Sequence, residues 1–239
     1  MNEEVMRKTL GEREERPGTG ILTDKSKFGE VVRETLPGLD CKDERSRLIA
    51  AAYANKRVGE RFEFGRYPQG ANGEVEPITW RVLRRDSDAL LVISEYGLDA
   101  KPYNEELEGI TWSKCTLRRW LNDEFLQKAF NPQEQSLIKV SSPTNNAGLS
   151  TDDRVFLLSI GEVKRLFVDE KDRIAKVTAY AAKCGAYTYN EDGITWWWLR
   201  SRGFDVSDAA FVNLVGFIGF RGLVDRASGS VRPALRIAI

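Results

Sequence analysis

The 239-residue sequence contains no histidine. That absence removes Ser-His-Asp and Cys-His nucleophile activation, imidazole-ligated zinc and the commonest general base together. Cysteine is scarce. Cys41, Cys115 and Cys184 stand far apart with no CxxC, which supports neither a four-cysteine zinc site nor a disulfide framework and reads as ordinary thiols in a reducing compartment. Net charge is lacking too: 36 Lys plus Arg balance 36 Asp plus Glu, so there is no overall pull toward nucleic acid or an anionic membrane, and only a local patch could supply one. No window approaches the roughly 18 apolar residues of a membrane span, and no secretion leader is visible. The expectation is cytoplasmic residence, or residence in a virion, whose structural proteins also lack leaders. No residue cluster calls for a metal or another cofactor.

What is present is a globular composition, 41% hydrophobic and 10% aromatic, which suffices for one large domain or two small ones. Residues 1–22 are charged, carry Pro17, Gly18 and Gly20, and show no period that would bury a face, so they read as a mobile tail. From Asp24, Phe28, Val31, Val32, Thr35 and Leu36 follow the spacing of an amphipathic helix that Pro37-Gly38 stops. Asp40 is positioned to cap a second helix with the stripe Leu48, Ile49, Ala52 and Tyr53. The resulting helical hairpin, 23–57, is too small to hold a core alone. It packs either on the main domain or on another copy of the chain, which makes residues 24–55 a candidate for self-association.

Around Val58 the period changes to two. Phe62 and Phe64 flank Glu63, Ile78, Trp80 and Val82 alternate with Thr79 and Arg81, and Leu90 to Ile93 follow the turn Asp86-Ser87-Asp88, so strands are expected, two of them a hairpin. Ser113 is the expected cap of a helix whose inner face is Leu117, Trp120, Leu121, Phe125 and Ala129, ended by Asn131-Pro132. A polar loop from Ser141 to Asp153 leads to the apolar run Val155 to Ile160 and two helical patterns, Gly161 to Val168 and Ala175 to Lys183. Strand character returns at Trp196 to Leu199, Ala210 to Val212 and Val231 to Ile239. Strands, then helices, then strands imply an α+β domain whose two ends meet in one antiparallel sheet, with Pro233 at a sheet edge or bulge.

The last 41 residues hold none of the 13 lysines or 21 glutamates and also lack Gln, Met and Trp, while Arg and Asp persist. Strand propensity disfavours Lys and Glu only modestly, so another selection is implied. Within this stretch Leu214, Val215, Phe217, Phe220 and Leu223 stand among glycines, beside Arg221, Asp225 and Arg226. Two readings fit: core-facing strand residues, or apolar residues crowded onto exposed loops as a binding surface. The block Leu214 to Arg226 does not alternate cleanly, whereas its flanks Ala209 to Asn213 and Val231 to Leu235 do, which favours the second. Trp196, Trp197 and Trp198 could form a stacking platform for sugars or bases, but strand alternation turns Trp197 away from the other two and favours core packing. Asn190-Glu191-Asp192 reads as a solvated turn rather than a metal site. Arg200 and Arg232 read as framework residues bonded to carbonyls.

The segments Trp197-Trp198-Leu199-Arg200-Ser201, Ala209-Ala210-Phe211-Val212-Asn213 and Gly229-Ser230-Val231-Arg232-Pro233-Ala234-Leu235 together resemble a bacterial family of unknown function. Phe64-Gly65-Arg66-Tyr67-Pro68-Gln69, Trp80-Arg81-Val82-Leu83 and Thr116-Leu117-Arg118-Arg119-Trp120-Leu121 agree with it. Such domains look like the C-type lectin fold in its formylglycine-generating-enzyme-like branch, and some are similar to the variable proteins of diversity-generating retroelements. The resemblance implies a C-type-lectin-like ligand-binding domain over 58–239, an antiparallel sheet with two or more helices, preceded by the small helical segment. It also implies a non-enzymatic protein whose ligand is a protein or peptide. In those systems template adenines are randomised, so AAY codons become NNY, which cannot encode Lys, Glu, Gln, Met or Trp. The diversified ligand-binding positions implied are Leu214, Val215, Phe217, Gly219, Phe220, Arg221, Leu223, Asp225 and Arg226, with Phe204, Asp205 and Val206 as a second set. A phage or cell-surface adhesin of the same fold without diversification is the alternative. An oxidase of the formylglycine-generating kind needs a close cysteine pair, and Cys184 has no partner within sixty residues along the chain. Lectin-type calcium tripeptides, Glu-Pro-Asn or Trp-Asn-Asp, are absent from the sequence.

Overall fold

The computed structural model describes residues 50–143 and 149–239, all within the unit Gly38–Ile239. The expected tail, the first helix and most of the second lie outside the described residues, as does the self-association segment before residue 50. Residues 50–53 are helical, as the second helix requires. Their end packs on the sheet: the Tyr53 ring lies 4.7 Å from Phe62 and 5.8 Å from Phe64, and its hydroxyl donates to the Glu63 carbonyl.

The architecture is mixed α+β, mostly sheet with a few short helices. A five-stranded sheet is ordered β1 (Arg61–Pro68), β2 (Val75–Arg85), β3 (Ala89–Ser94), β12 (Ala234–Ala238), β5 (Val155–Phe156). All of its pairs are antiparallel. The expected hairpin is therefore present and strands from both ends of the unit share this sheet, but the expected single sheet is two: of the expected C-terminal strands only β12 joins this one, and the rest form a second sheet. Alternation in β1 breaks where the register shifts between Glu63 and Arg66. Gly65 sits there with φ +68°, and a Cβ would come within 2.5 Å of the Phe130 ring and 2.7 Å of the Ala129 carbonyl. Only a bare backbone lets the strand lie so close to the helix that carries Phe125 and Ala129.

That helix begins as α1 (Thr116–Trp120), passes through a π-helical turn, Leu121–Phe125, and ends as α2 (Leu126–Ala129). Its cap is Cys115, whose sulfur accepts from the Arg118 N–H, and not Ser113, which lies in the preceding turn. Leu117, Leu121, Phe125 and Ala129 are buried as the pattern requires. Trp120 is not: it is half-exposed, with the Lys101 ammonium 4.7 Å above its ring. Asn131-Pro132 ends this helix and starts α3 (Pro132–Leu137), because the Asn131 side chain and Glu134 form a reciprocal capping box. The helical pattern after Gly161 is realised as α4 (Ile160–Leu166), with a second capping box between Ser159 and Glu162. The pattern from Ala175 opens as a strand, β6 (Ala175–Lys176), and becomes helical only in α5 (Ala179–Lys183), where Thr178 caps it. Strand β6 pairs with β7 (Ile194–Thr195) in a small ribbon. Asn190, Glu191 and Asp192 form the exposed turn leading into it.

The second five-stranded sheet is ordered β10 (Ile218–Leu223), β9 (Asp208–Val212), β8 (Trp197–Arg202), β11 (Ser230–Val231), β4 (Asp99–Ala100). Pro233 lies neither at an edge nor in a bulge. It separates β11 from β12, where the chain crosses from the second sheet to the first and no ladder N–H is needed. Arg232 beside it is fully buried; its Nε donates to the Ser94 carbonyl at 2.7 Å and its guanidinium lies 5.1 Å from the Trp197 ring centre. Arg200 donates to the Leu157 carbonyl and pairs with Glu162. Arg200 thus holds a loop carbonyl, as expected, whereas Arg232 holds the end of strand β3. Among the described residues, no helix is long and apolar enough to cross a membrane.

Candidate binding surface

Strand β10 is the edge of the second sheet, and the sequence pattern had read its residues as loop. Its register explains why the alternation was hidden. Gly219 pairs with Phe211 and Gly222 with Ala209, so Phe220 and Arg221 together oppose Ala210 alone. This is a β-bulge on an edge strand, which interrupts period two and turns two consecutive side chains outward.

Three further contacts fix the surface around the bulge. The Phe204 N–H donates to the Phe220 carbonyl at 2.6 Å. Gly203 permits this approach, since a Cβ there would lie 2.3 Å from the same carbonyl oxygen. The Arg221 guanidinium then covers the Phe204 ring at 4.9 Å, and the Ile110 N–H holds the Val206 carbonyl. At the other end, the turn between β9 and β10 is locked by Asn213, whose side-chain oxygen accepts the Val215 and Phe217 N–H groups at 3.0 and 2.9 Å. Gly216 in that turn has φ +88° and passes so near the Glu170 carbonyl that a Cβ would lie 1.9 Å from it. Beyond β10, buried Val224 is bonded on both sides: its N–H donates to Ser207 and its carbonyl accepts from Asn104.

The residues singled out from the sequence lie along this hairpin and its neighbouring loop, with Phe204 against Phe220 and Arg221 on one side and Leu214 and Arg226 at the cavity described below. Phe204, Asp205, Val206, Val215, Phe217, Phe220, Arg221, Leu223, Asp225 and Arg226 are exposed, and Leu214 and Gly219 are half-buried. Among the described phenylalanines, only Phe204, Phe217 and Phe220 are exposed, at 70, 54 and 46%. Isolated exposed apolar residues mean little, but several large ones on one hairpin and its neighbouring loop mark a contact surface. Gly219 departs from the rest: a Cβ would meet the Phe211 ring at 2.4 Å, so this position accepts no side chain while Phe211 stays where it is.

The opposite side of β10 rests on aromatics that the sequence reading had assigned to framework. Trp198 and Gly219 both pair with Phe211, which sets the rings and the bare glycine in one row across three strands. The Trp196 ring stands 4.7 Å from Trp198 and 5.4 Å from Phe211, in edge-to-face contact with both. Trp197 faces away and donates to the Arg173 carbonyl. Trp196, Phe211, Asn213, Leu214, Gly222 and Arg226 line a half-open cavity of about 140 Å³. Four of these six were absent from the expected site. The signal for them was a hairpin in which one glycine, Gly219, stands opposite the aromatic Phe211. A separate cavity of about 220 Å³, between Lys101, Glu105, Arg119, Trp120 and Asp123, carries charges of both signs and none of the expected site residues.

Burial and ion pairing shift several framework groups. Burial raises the Cys115 thiol to about 12, and the Tyr67 hydroxyl, buried beside Asp99, is also raised. Burial opposes ionisation of Glu95, yet hydrogen bonds from Arg81 and Arg61 outweigh it and hold the carboxylate at about 2. Burial and the nearby Arg81 lower the Arg232 guanidinium to about 9. Cys115 is buried and Cys184 exposed, both as free thiols.

A family model described as a domain of unknown function (DUF6273) matches residues 87–239, which is more than half of the chain and covers the whole candidate surface. The match begins in the turn before β3, so β1 and β2 complete the first sheet from outside it. No curated protein and no solved structure matches the chain.

Proposed function

Because the chain belongs to the DUF6273 family, whose function is unknown, we propose from its surface that it is a non-enzymatic ligand-binding protein of C-type-lectin-like fold, which holds a diversified patch toward a protein or peptide. The fold reading draws support from the first sheet, in which β1 and β12 join strands from both ends of the unit, and from a second sheet that carries irregular connections at its β10 edge. Diversification draws support from the tail that lacks Lys, Glu, Gln, Met and Trp.

The single observation that carries the reading is the bulged edge strand. Phe220 and Arg221 emerge together beside Phe204, while bare glycines and aromatic rings hold the underside. A side chain on the outer face can change without touching the core, whereas the underside cannot, and this division lets specificity vary at constant fold. The exposed phenylalanines supply large apolar area at low conformational entropy, and Arg221 supplies forked hydrogen bonds.

The test is in the flanking DNA. A reverse-transcriptase gene and a near-copy of the segment encoding 204–226, with adenines where the two copies differ, are the expected finding. A flanking region with neither overturns diversification and leaves an adhesin with a fixed surface.

A further inference from the structure

The cavity beneath β10 has a chemistry of its own. Its floor is the edge-to-face pair Trp196 and Phe211. Gly222 forms part of its wall, and a Cβ there would come within 3.1 Å of the Phe211 ring. At about 140 Å³ it is close in size to an apolar protein cavity of about 150 Å³ that holds one benzene molecule. One aromatic ring or a leucine-sized group therefore fills it.

The rim is made of donors. The Asn213 side-chain oxygen is occupied by two backbone N–H groups, which identifies the other end of that amide as its NH₂ and leaves it as a donor. Arg226 is exposed, and its guanidinium has no acidic partner among the described residues. No carboxylate lines the cavity. Two side-chain donors and no carboxylate beside an aromatic floor favour an acceptor attached to an apolar group, and a guanidinium prefers a planar carboxylate that it can bond twice.

We infer that this cavity is a subsite for an apolar side chain flanked by a carboxylate, with the apolar group on Trp196 and Phe211 and the carboxylate held by Arg226 and the Asn213 amide. The inference deepens the ligand-binding reading but does not depend on diversification. Trp196, Phe211, Asn213 and Gly222 lie outside the expected variable set, while Leu214 and Arg226 lie within it. The floor is thus constant, and the wall and the charge are adjustable.

The experiment titrates the full chain with N-acetyl-L-phenylalaninate and, separately, with its uncharged amide, using calorimetry and the indole N–H resonance of Trp196. The carboxylate is expected to bind at least tenfold more tightly than the amide and to move the Trp196 resonance. Arg226→Gln is expected to bring the two probes within twofold of each other, chiefly by weakening the carboxylate. Equal affinities in the unmodified protein, a Trp196 resonance that does not move, or a preference that survives Arg226→Gln would each overturn the subsite. A missing template copy in the DNA would remove diversification and leave this result standing. A failed titration beside a template copy would remove only the subsite.

Discussion

Arg221 lies over the ring of Phe204, its guanidinium carbon 4.9 Å from the ring centre, although sixteen residues separate them. The contact joins the loop before β9 to the bulge of β10, so the two sets of surface residues form one patch. A cation over an exposed ring contributes about 0.5–1 kcal/mol, enough to bias a side chain but not to hold a fold. The patch is accordingly a passenger on the frame.

Replacing Phe204, Phe217, Phe220 and Leu223 together by Ser is expected to change unfolding free energy by about 1 kcal/mol or less, because each side chain already faces water. Binding of the dye ANS to the native protein should fall in the same variant. A thermal midpoint lowered by more than about 6 °C would mean that these residues hold the core.

Gly222→Ala carries the opposite expectation. Its Cβ would meet the Trp198 ring at 2.6 Å and the Ala209 carbonyl at 2.8 Å. Overpacking of this kind costs about 1–3 kcal/mol, which urea denaturation would read as a lower midpoint at unchanged slope. Stability equal to that of the unmodified chain would show that the strand yields easily and that the underside is not rigid.

The diversification reading fixes the third base of each codon. Leu214 and Leu223 should be encoded by CTY, Arg221 and Arg226 by CGY, and Val215, Phe217, Phe220 and Asp225 by codons ending in C or T. Sequencing the gene checks this, and purine-ending leucine or arginine codons at these positions would contradict it.

Acid should weaken the protein through Glu95. Its carboxylate, held at about 2 by Arg81 and Arg61, has an unfolded value of about 4.3. A group whose pKa is depressed by folding stabilises the native state above the unfolded value, and that contribution fades as pH falls from about 4.3 toward about 2. Discounting for the exposed Arg61 arm, the contribution is about 1–2 kcal/mol. Glu95→Gln should flatten the melting temperature against pH across that window. An unchanged slope would assign acid sensitivity to Glu162 instead, whose carboxylate, despite burial, is held low by Arg200.

The first sheet was legible because its strands are half-buried: Phe62, Phe64, Ile78, Trp80 and Val82 alternate as a pleated surface demands. The helix with Leu117, Leu121, Phe125 and Ala129 was legible for the same kind of reason, and Trp120 was misjudged because an aromatic ring under a lysine serves a half-wet position as well as a dry one. Strand β10 escaped because a bulge and two ring-facing glycines erase period two. The cavity floor escaped because Trp196 and Phe211 meet only when β8 and β9 pair. Cys115 displaced Ser113 as cap through a sulfur acceptor that sequence rules rank low.

Strand β12 is wedged between β3 and β5, with Ala238 facing Ala89 across the ladder. On the ribosome, therefore, the central strand of the first sheet stays unpartnered on that side until everything up to residue 238 has been synthesised, the patch included. Folding must wait for this late, long-range closure, which predicts slow maturation and a demand for chaperones while apolar β3 is uncovered. Every sequence carried between 204 and 226 has to pass through the same final gate.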